Sequence, residues 1–143
     1  MVTFISHSAA ETESLGERFG RVAQSGTVFG LFGELGAGKT QFVRGLARGL
    51  DISQRVHSPT FAVVNEYGGG RLKLFHLDLY RLETREQILS AGIEDFLRPD
   101  GVTVVEWAER IYDSRHSADD WKKVRIEVLN ESERNIIYDD PGA

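Results

Sequence analysis

The chain has no cysteine. Disulfides, cysteine-ligated zinc and thiol catalysis are therefore excluded. It also lacks an excess of positive charge: 17 Lys and Arg stand against 22 Asp and Glu, a formal net charge of −5. A face that binds nucleic acid unaided needs the opposite balance, so any nucleic-acid role needs a partner to supply positive charge. No apolar run approaches the length that crosses a bilayer. The start, Met1-Val2-Thr3-Phe4-Ile5-Ser6-His7, lacks a basic segment followed by an apolar one. No signal peptide is expected, and the cytoplasm is the default compartment. There is no internal repeat, low-complexity tract or linker. What remains is 143 residues, 41% apolar and 27% charged, which predicts one globular domain with a proper core.

The most informative stretch is Gly33-Glu34-Leu35-Gly36-Ala37-Gly38-Lys39-Thr40. It fits G-x-x-x-x-G-K-[ST], the phosphate-binding loop of nucleoside-triphosphate enzymes. Glycines let the backbone turn tightly and bring its N–H groups close to phosphate oxygens. Lys39 would place a point charge at the β- and γ-phosphates, and the Thr40 hydroxyl would ligate Mg²⁺. The flanks agree. Residues 27–32 read as a buried strand and 40–50 as a helix, whose N-terminus would point at an anion.

Before this loop, residues 2–6 are β-prone. Ser8-Ala9-Ala10-Glu11 has the S-x-x-E form of a capping box, and Leu15, Phe19 and Val22 follow at helical spacing. Gly26 stands where that helix would stop. Thr12 or Ser14 is a candidate to approach a nucleotide base. Phe42, Val43, Leu46, Ala47 and Leu50 give the second helix an apolar face. Arg44 and Arg48 form either a solvated stripe or a partner contact. Pro59 biases Ser58 towards an extended conformation. Ser58-Pro59-Thr60 reads equally as a turn or as a hydroxyl-bearing switch near a γ-phosphate.

Residues 61–67 and 71–80 read as two strands joined by Gly68-Gly69-Gly70. His76, Asp78 and Tyr80 share a face if the second strand stays regular. Asp78 is a candidate to orient water or Mg²⁺, with a carboxylate paired to Arg81 as the alternative. A His76–Asp78 zinc pair lacks an obvious third ligand. Thr84 opens another capping box, a helical segment breaks at Gly92, and Pro99-Asp100-Gly101 is a turn. Residues 102–107 form an apolar strand ending in Glu106, which fits the acidic strand end that reaches Mg²⁺ beside a phosphate loop. Trp107 is core filler or an aromatic lid. A short helix (108–112), a polar loop (113–120) and a hairpin of strands 124–129 and 134–138 complete the chain before a five-residue tail.

These motifs, in this order and spacing, resemble the TsaE (YjeE) family of bacterial P-loop ATPases. The matching runs are the loop 33–40, Ser58-Pro59-Thr60-Phe61, His76-Leu77-Asp78-Leu79-Tyr80-Arg81-Leu82, Gly92-Ile93-Glu94-Asp95-Phe96 and Glu106-Trp107. The C-terminal hairpin agrees in pattern but carries no motif. The resemblance implies a role in making N6-threonylcarbamoyladenosine in tRNA, with ATP bound and hydrolysed while the protein is docked on TsaD and TsaB. It implies Thr40 and Glu106 on Mg²⁺, Lys39 on phosphate, Asp78 and Thr60 around the γ-phosphate, and Trp107 beside that site.

Three other readings compete. A small-molecule kinase needs an acceptor pocket and an Arg-bearing lid, for which a chain of 143 residues leaves little room. A GTPase needs an N/T-K-x-D motif, which the sequence lacks. A binding module with a dead site does not need the intact Lys39, Thr40 and Glu106. The expected fold is a three-layer α/β P-loop domain. Its parallel core holds the P-loop strand, the second hairpin strand and the Glu106 strand, with antiparallel strands towards the edges.

Overall fold

The computed structural model describes all residues except Met1, Leu35, 58–63, Glu83, Arg98, 111–120 and 140–143. Thr60 and Leu35, both expected at the site, lie outside the described residues.

Among the described residues, seven strands form one sheet in the order β1-β7-β6-β2-β5-β4-β3. The strands are β1 (Val2–Ser6), β2 (Val28–Phe32), β3 (Val64–Tyr67), β4 (Leu74–Asp78), β5 (Val102–Glu106), β6 (Trp121–Val128) and β7 (Arg134–Tyr138). β4, β5, β2 and β6 run parallel to one another, while β3, β7 and β1 join antiparallel. β2 and β5 are buried at every residue, as strands covered on both faces must be. The mixed sheet with a parallel core agrees with the sequence reading. One placement differs. β6 begins at Trp121 and lies parallel beside β2, so the C-terminal hairpin contributes a core strand.

Helices α1 (Ala9–Val22) and α2 (Lys39–Gly49) cover one face. Ser8 caps α1 by accepting from the Glu11 amide at 3.1 Å, and the Glu11 carboxylate reaches back to the His7 amide at 3.1 Å. Phe19 of α1 sits at the centre of this face, with ring centroids 5.8 Å from Phe29, 5.3 Å from Phe42 and 5.1 Å from Tyr138. The other face carries the short helix α3 (Arg85–Ser90) and single 3-10 turns at Ile93–Phe96 and Ala108–Arg110. There Ile88 and Ile93 are buried against Leu77, Leu79 and Val105. The arrangement is three-layered, with a thin third layer.

α1 and α2 approach closely because glycines face each other. A Cβ on Gly45 would lie 1.9 Å from the Glu13 carbonyl oxygen, and one on Gly16 would lie 2.3 Å from that of Phe42. Both obstacles are backbone, so the helices must part to admit a methyl group. Gly45→Ala is expected to cost about 3 kcal/mol, the upper end for overpacking. Chemical denaturation checks this, and an unchanged midpoint would mean the helices separate freely. Of Arg44 and Arg48, Arg48 closes the same seam, whereas Arg44 turns to the segment after α2. Arg48 pairs with Glu13 at 2.6 Å, and the Arg44 Nε donates to the Val56 carbonyl at 3.2 Å.

Candidate functional site

The carboxyl ends of β2, β5 and β4 open on a cleft of about 540 Å³. In parallel sheets this is where ligands bind. Residues 36–40 form its floor. Gly36 and Gly38 have φ of +80° and +103°, a left-handed conformation that side chains disfavour. Gly38 is the N-cap of α2 and has no side chain to offer the first-turn amides. Such amides make a helix N-terminus an anion site.

Lys39 is 5% exposed. Its ammonium donates to the Gly33 carbonyl and, at 3.3 Å, to the Glu34 carbonyl. The Trp107 ring lies over it, with Nζ 3.6 Å from the ring centroid. Burial pushes the Lys39 pKa below the usual lysine value, against the opposing pull of Glu109, Glu106, Asp78 and Glu34. A polyanion arriving at the ammonium would add to that pull and favour its charged form.

Register brings the acidic residues together. In the parallel pair, Asp78 of β4 lies opposite Glu106 of β5, and Leu31 of β2 lies opposite Glu106 on the other side. Glu106 is 3% exposed, and the Thr40 hydroxyl sits 3.3 Å and 3.2 Å from its two carboxylate oxygens. His76 is wholly buried, and its Nε2 contacts the Glu106 Oε2. Of the His76–Asp78 pair considered for zinc, the His76 Nε2 is on Glu106 and the Nδ1 has no hydrogen-bond partner. Among the described residues no group of three His, Asp or Glu is placed to hold a metal alone. Thr40 and Glu106 together do fit Mg²⁺. They are hard oxygen donors side by side, and Mg²⁺ is commonly held by few protein groups plus phosphate oxygens.

Asp78 lines the cleft, with the Tyr80 amide donating to its Oδ1 at 3.0 Å. This turn ends β4 at Asp78, so Tyr80 leaves the strand and is 45% exposed, with its ring 5.2 Å from Trp107. Burial pushes the Asp78 carboxyl above its ordinary 3.8, and the Glu106 charge adds to this, while the Tyr80 amide, His76 and Lys39 pull the other way. The folded chain thus holds this proton more tightly than the unfolded one. The group's contribution to stability is largest below pH 3.8 and is lost as pH rises through the raised value. Asp78→Asn, which still accepts from the Tyr80 amide, is expected to raise the thermal midpoint at neutral pH. That gain should vanish in acid, and a pH series of melting curves checks both arms.

Trp107 unites its two readings. Its side chain packs against the second core cluster, and its face covers Lys39. Its φ of +60° is strained for a bulky residue, and such strain gathers at functional sites.

The far wall of the cleft comes from both ends of the chain, with His7, Ser8 and Thr12 on one side and Glu131, Ser132 and Arg134 on the other. His7 pairs with Glu133 across it at 2.7 Å. Thr12 is buried, bonded to the Ser6 hydroxyl at 2.8 Å, whereas Ser14 is exposed and does not line the cleft. Arg134 was not legible as a site residue. Its Nε donates to the Ala37 carbonyl at 3.0 Å and its Nη2 to that of Gly36 at 3.3 Å, clamping the loop from β7. Glu109 adds another tie, accepting from the Gly33 amide at 3.3 Å.

Residues 6–136 match the family model described as threonylcarbamoyl adenosine biosynthesis protein TsaE. Among curated relatives, a TsaE from Treponema pallidum is 44% identical over 107 residues, spanning 75% of this chain and 78% of that protein. One from Bacillus subtilis is 37% identical over 128 residues, spanning 90% and 78%. The crystal structure of Bacillus subtilis YdiB superposes with a TM-score of 0.77 at 30% identity, covering 99% of this chain and 86% of that one. The loop clamped beneath Arg134, the Thr40–Glu106 pair and the mixed sheet thus sit in a chain that belongs to the TsaE family.

Proposed function

We propose that this chain binds ATP with Mg²⁺ and hydrolyses it, and that it does so in the biosynthesis of tRNA N6-threonylcarbamoyladenosine while docked on a complex of TsaB and TsaD. The observation that carries the ATP reading is the meeting of the Thr40 hydroxyl and the Glu106 carboxylate at 3.2 Å beside the buried Lys39. The named pathway of the curated relatives supports the tRNA role. A net charge of −5 suits a protein that meets tRNA through its partners. The proposal places the protein in the cytoplasm.

In this reading the 33–40 loop cradles the phosphates with backbone N–H groups, and Lys39 turns its ammonium from the Gly33 and Glu34 carbonyls to phosphate oxygens. Thr40 and Glu106 would hold Mg²⁺, which when bound neutralises charge on the phosphates. Asp78 faces the same cleft and stands as the candidate to orient the water that attacks the γ-phosphate in line, as the bond to the β-phosphate breaks. Trp107 excludes bulk water from the lysine. The free energy of hydrolysis would drive a change in the partner complex, and no group is transferred to a substrate by this chain.

The test is ATP turnover by the purified chain, alone and with purified TsaB and TsaD. Turnover that rises strongly with the partners supports the proposal. No stimulation, with phosphate passing instead to a small metabolite, would replace it with a kinase.

A further inference from the structure

We propose that His76 is a positioning residue for Glu106, fixing the carboxylate that the ATP reading above assigns to Mg²⁺; the inference rests on that reading. Strand geometry puts the two side chains on one face. Leu74, His76 and Asp78 alternate along β4, and Val102, Val104 and Glu106 alternate along β5. Leu74, Val102 and Val104 all join the core beneath α1 and α2, so His76 and Glu106 point to the helix side. There the His76 Nε2 meets the Glu106 Oε2 and the Thr40 hydroxyl meets both carboxylate oxygens. Glu106 is thus held from two elements at once, β4 and the first turn of α2.

The rest of the ring is informative. His76 is 0% exposed, and its Nδ1 has no hydrogen-bond partner. As plain core filler the position would be better served by an apolar side chain, because a buried unpaired nitrogen is costly. As a metal ligand through Nδ1 it lacks company, since among the described residues no group of three His, Asp or Glu is placed to hold a metal. Donation from Nε2–H to Glu106 accounts for a histidine here. Without it, the Thr40 hydroxyl would be the remaining side-chain donor to the carboxylate among the described residues, and the carboxylate would be held from one element in place of two. Outer partners of this kind orient the groups that hold a metal.

The experiment compares the native chain with His76→Leu and His76→Gln. The glutamine amide places a donor about where Nε2 lies, whereas leucine keeps the bulk and removes the donor. ATP binding is measured by calorimetry with Mg²⁺ and with a chelator. His76→Leu is expected to weaken binding with Mg²⁺ about tenfold or more, the range for losing an outer-shell partner, and to leave metal-free binding unchanged. His76→Gln should recover most of the loss. A folded leucine variant with no loss, or with equal loss in both conditions, overturns the proposal, as does a glutamine variant that recovers nothing. Nitrogen-15 spectra of His76 in the native chain decide independently of folding in the variants: a proton on Nε2 supports the proposal, and a bare Nε2 overturns it. If the native chain itself does not bind ATP, the ATP reading fails first and the proposal with it.

Discussion

Replacing Lys39 with alanine is expected to lower ATP affinity ~100-fold or more and to stop turnover. The ammonium would make two charge-assisted hydrogen bonds to phosphate, each worth about 1.5–3 kcal/mol. Together these amount to about 3–6 kcal/mol, or roughly 100- to 10,000-fold in affinity. The structure adds a second cost. Lys39 holds the carbonyls of Gly33 and Glu34 and lies under Trp107, so alanine leaves the loop without its internal tie and opens a gap beneath the ring. Lys39→Met separates the two effects, since it keeps the stem and removes the charge. Calorimetric titration with ATP and thermal denaturation of both variants make the measurement. Affinity within about threefold of the native chain would sink the assignment of Lys39 to phosphate.

The second large effect is expected at Glu106, where glutamine keeps the shape and removes the charge. Turnover should fall ~100-fold, which corresponds to about 2.7 kcal/mol of transition-state stabilisation and lies within what a bound metal supplies. ATP affinity without Mg²⁺ should rise or stay level, because a negative charge beside the phosphates has been deleted. The fold should survive. The amide still accepts from His76 and Thr40, whose contacts now surround the carboxylate. Glu106→Ala would serve less well, because it also empties a site that is 3% exposed. Single-turnover measurements across a Mg²⁺ series separate the metal effect from binding. Unchanged turnover removes Glu106 from the chemistry.

What the sequence disclosed about this site was local. The loop 33–40, the buried strand before it and the helix after it are written in contiguous residues, and so is the capping box at Ser8. The Glu106 strand could be read because an apolar run ending in an acid has few other uses beside such a loop. The rest depended on pairing between distant segments. Strand 124–129 is visible by alternation, but nothing local says that it lies parallel to β2. Its first residue, Trp121, follows a polar stretch and shows no period. Arg134 reaches the loop only because β7 lies one strand beyond β6, so no motif could announce it. Tyr80 departs from the expected alternation because the Asp78 side chain captures its amide and turns the chain. Asp78 and His76 were legible as residues of interest, but the role of His76 against Glu106 required the register.

The strand order has a consequence for how the chain comes off the ribosome. β2 is flanked by β5 and β6, and β1 pairs with β7. The phosphate loop is therefore translated early but acquires its neighbours late. Until residue 128 emerges, one edge of β2, a segment apolar on both faces, has nothing to pair with. Topologies of this kind fold slowly and leave sticky edges exposed meanwhile. Ribosome-stalled intermediates ending before β6 should not retain ATP, because their loop lacks both a wall and the arginine that clamps it.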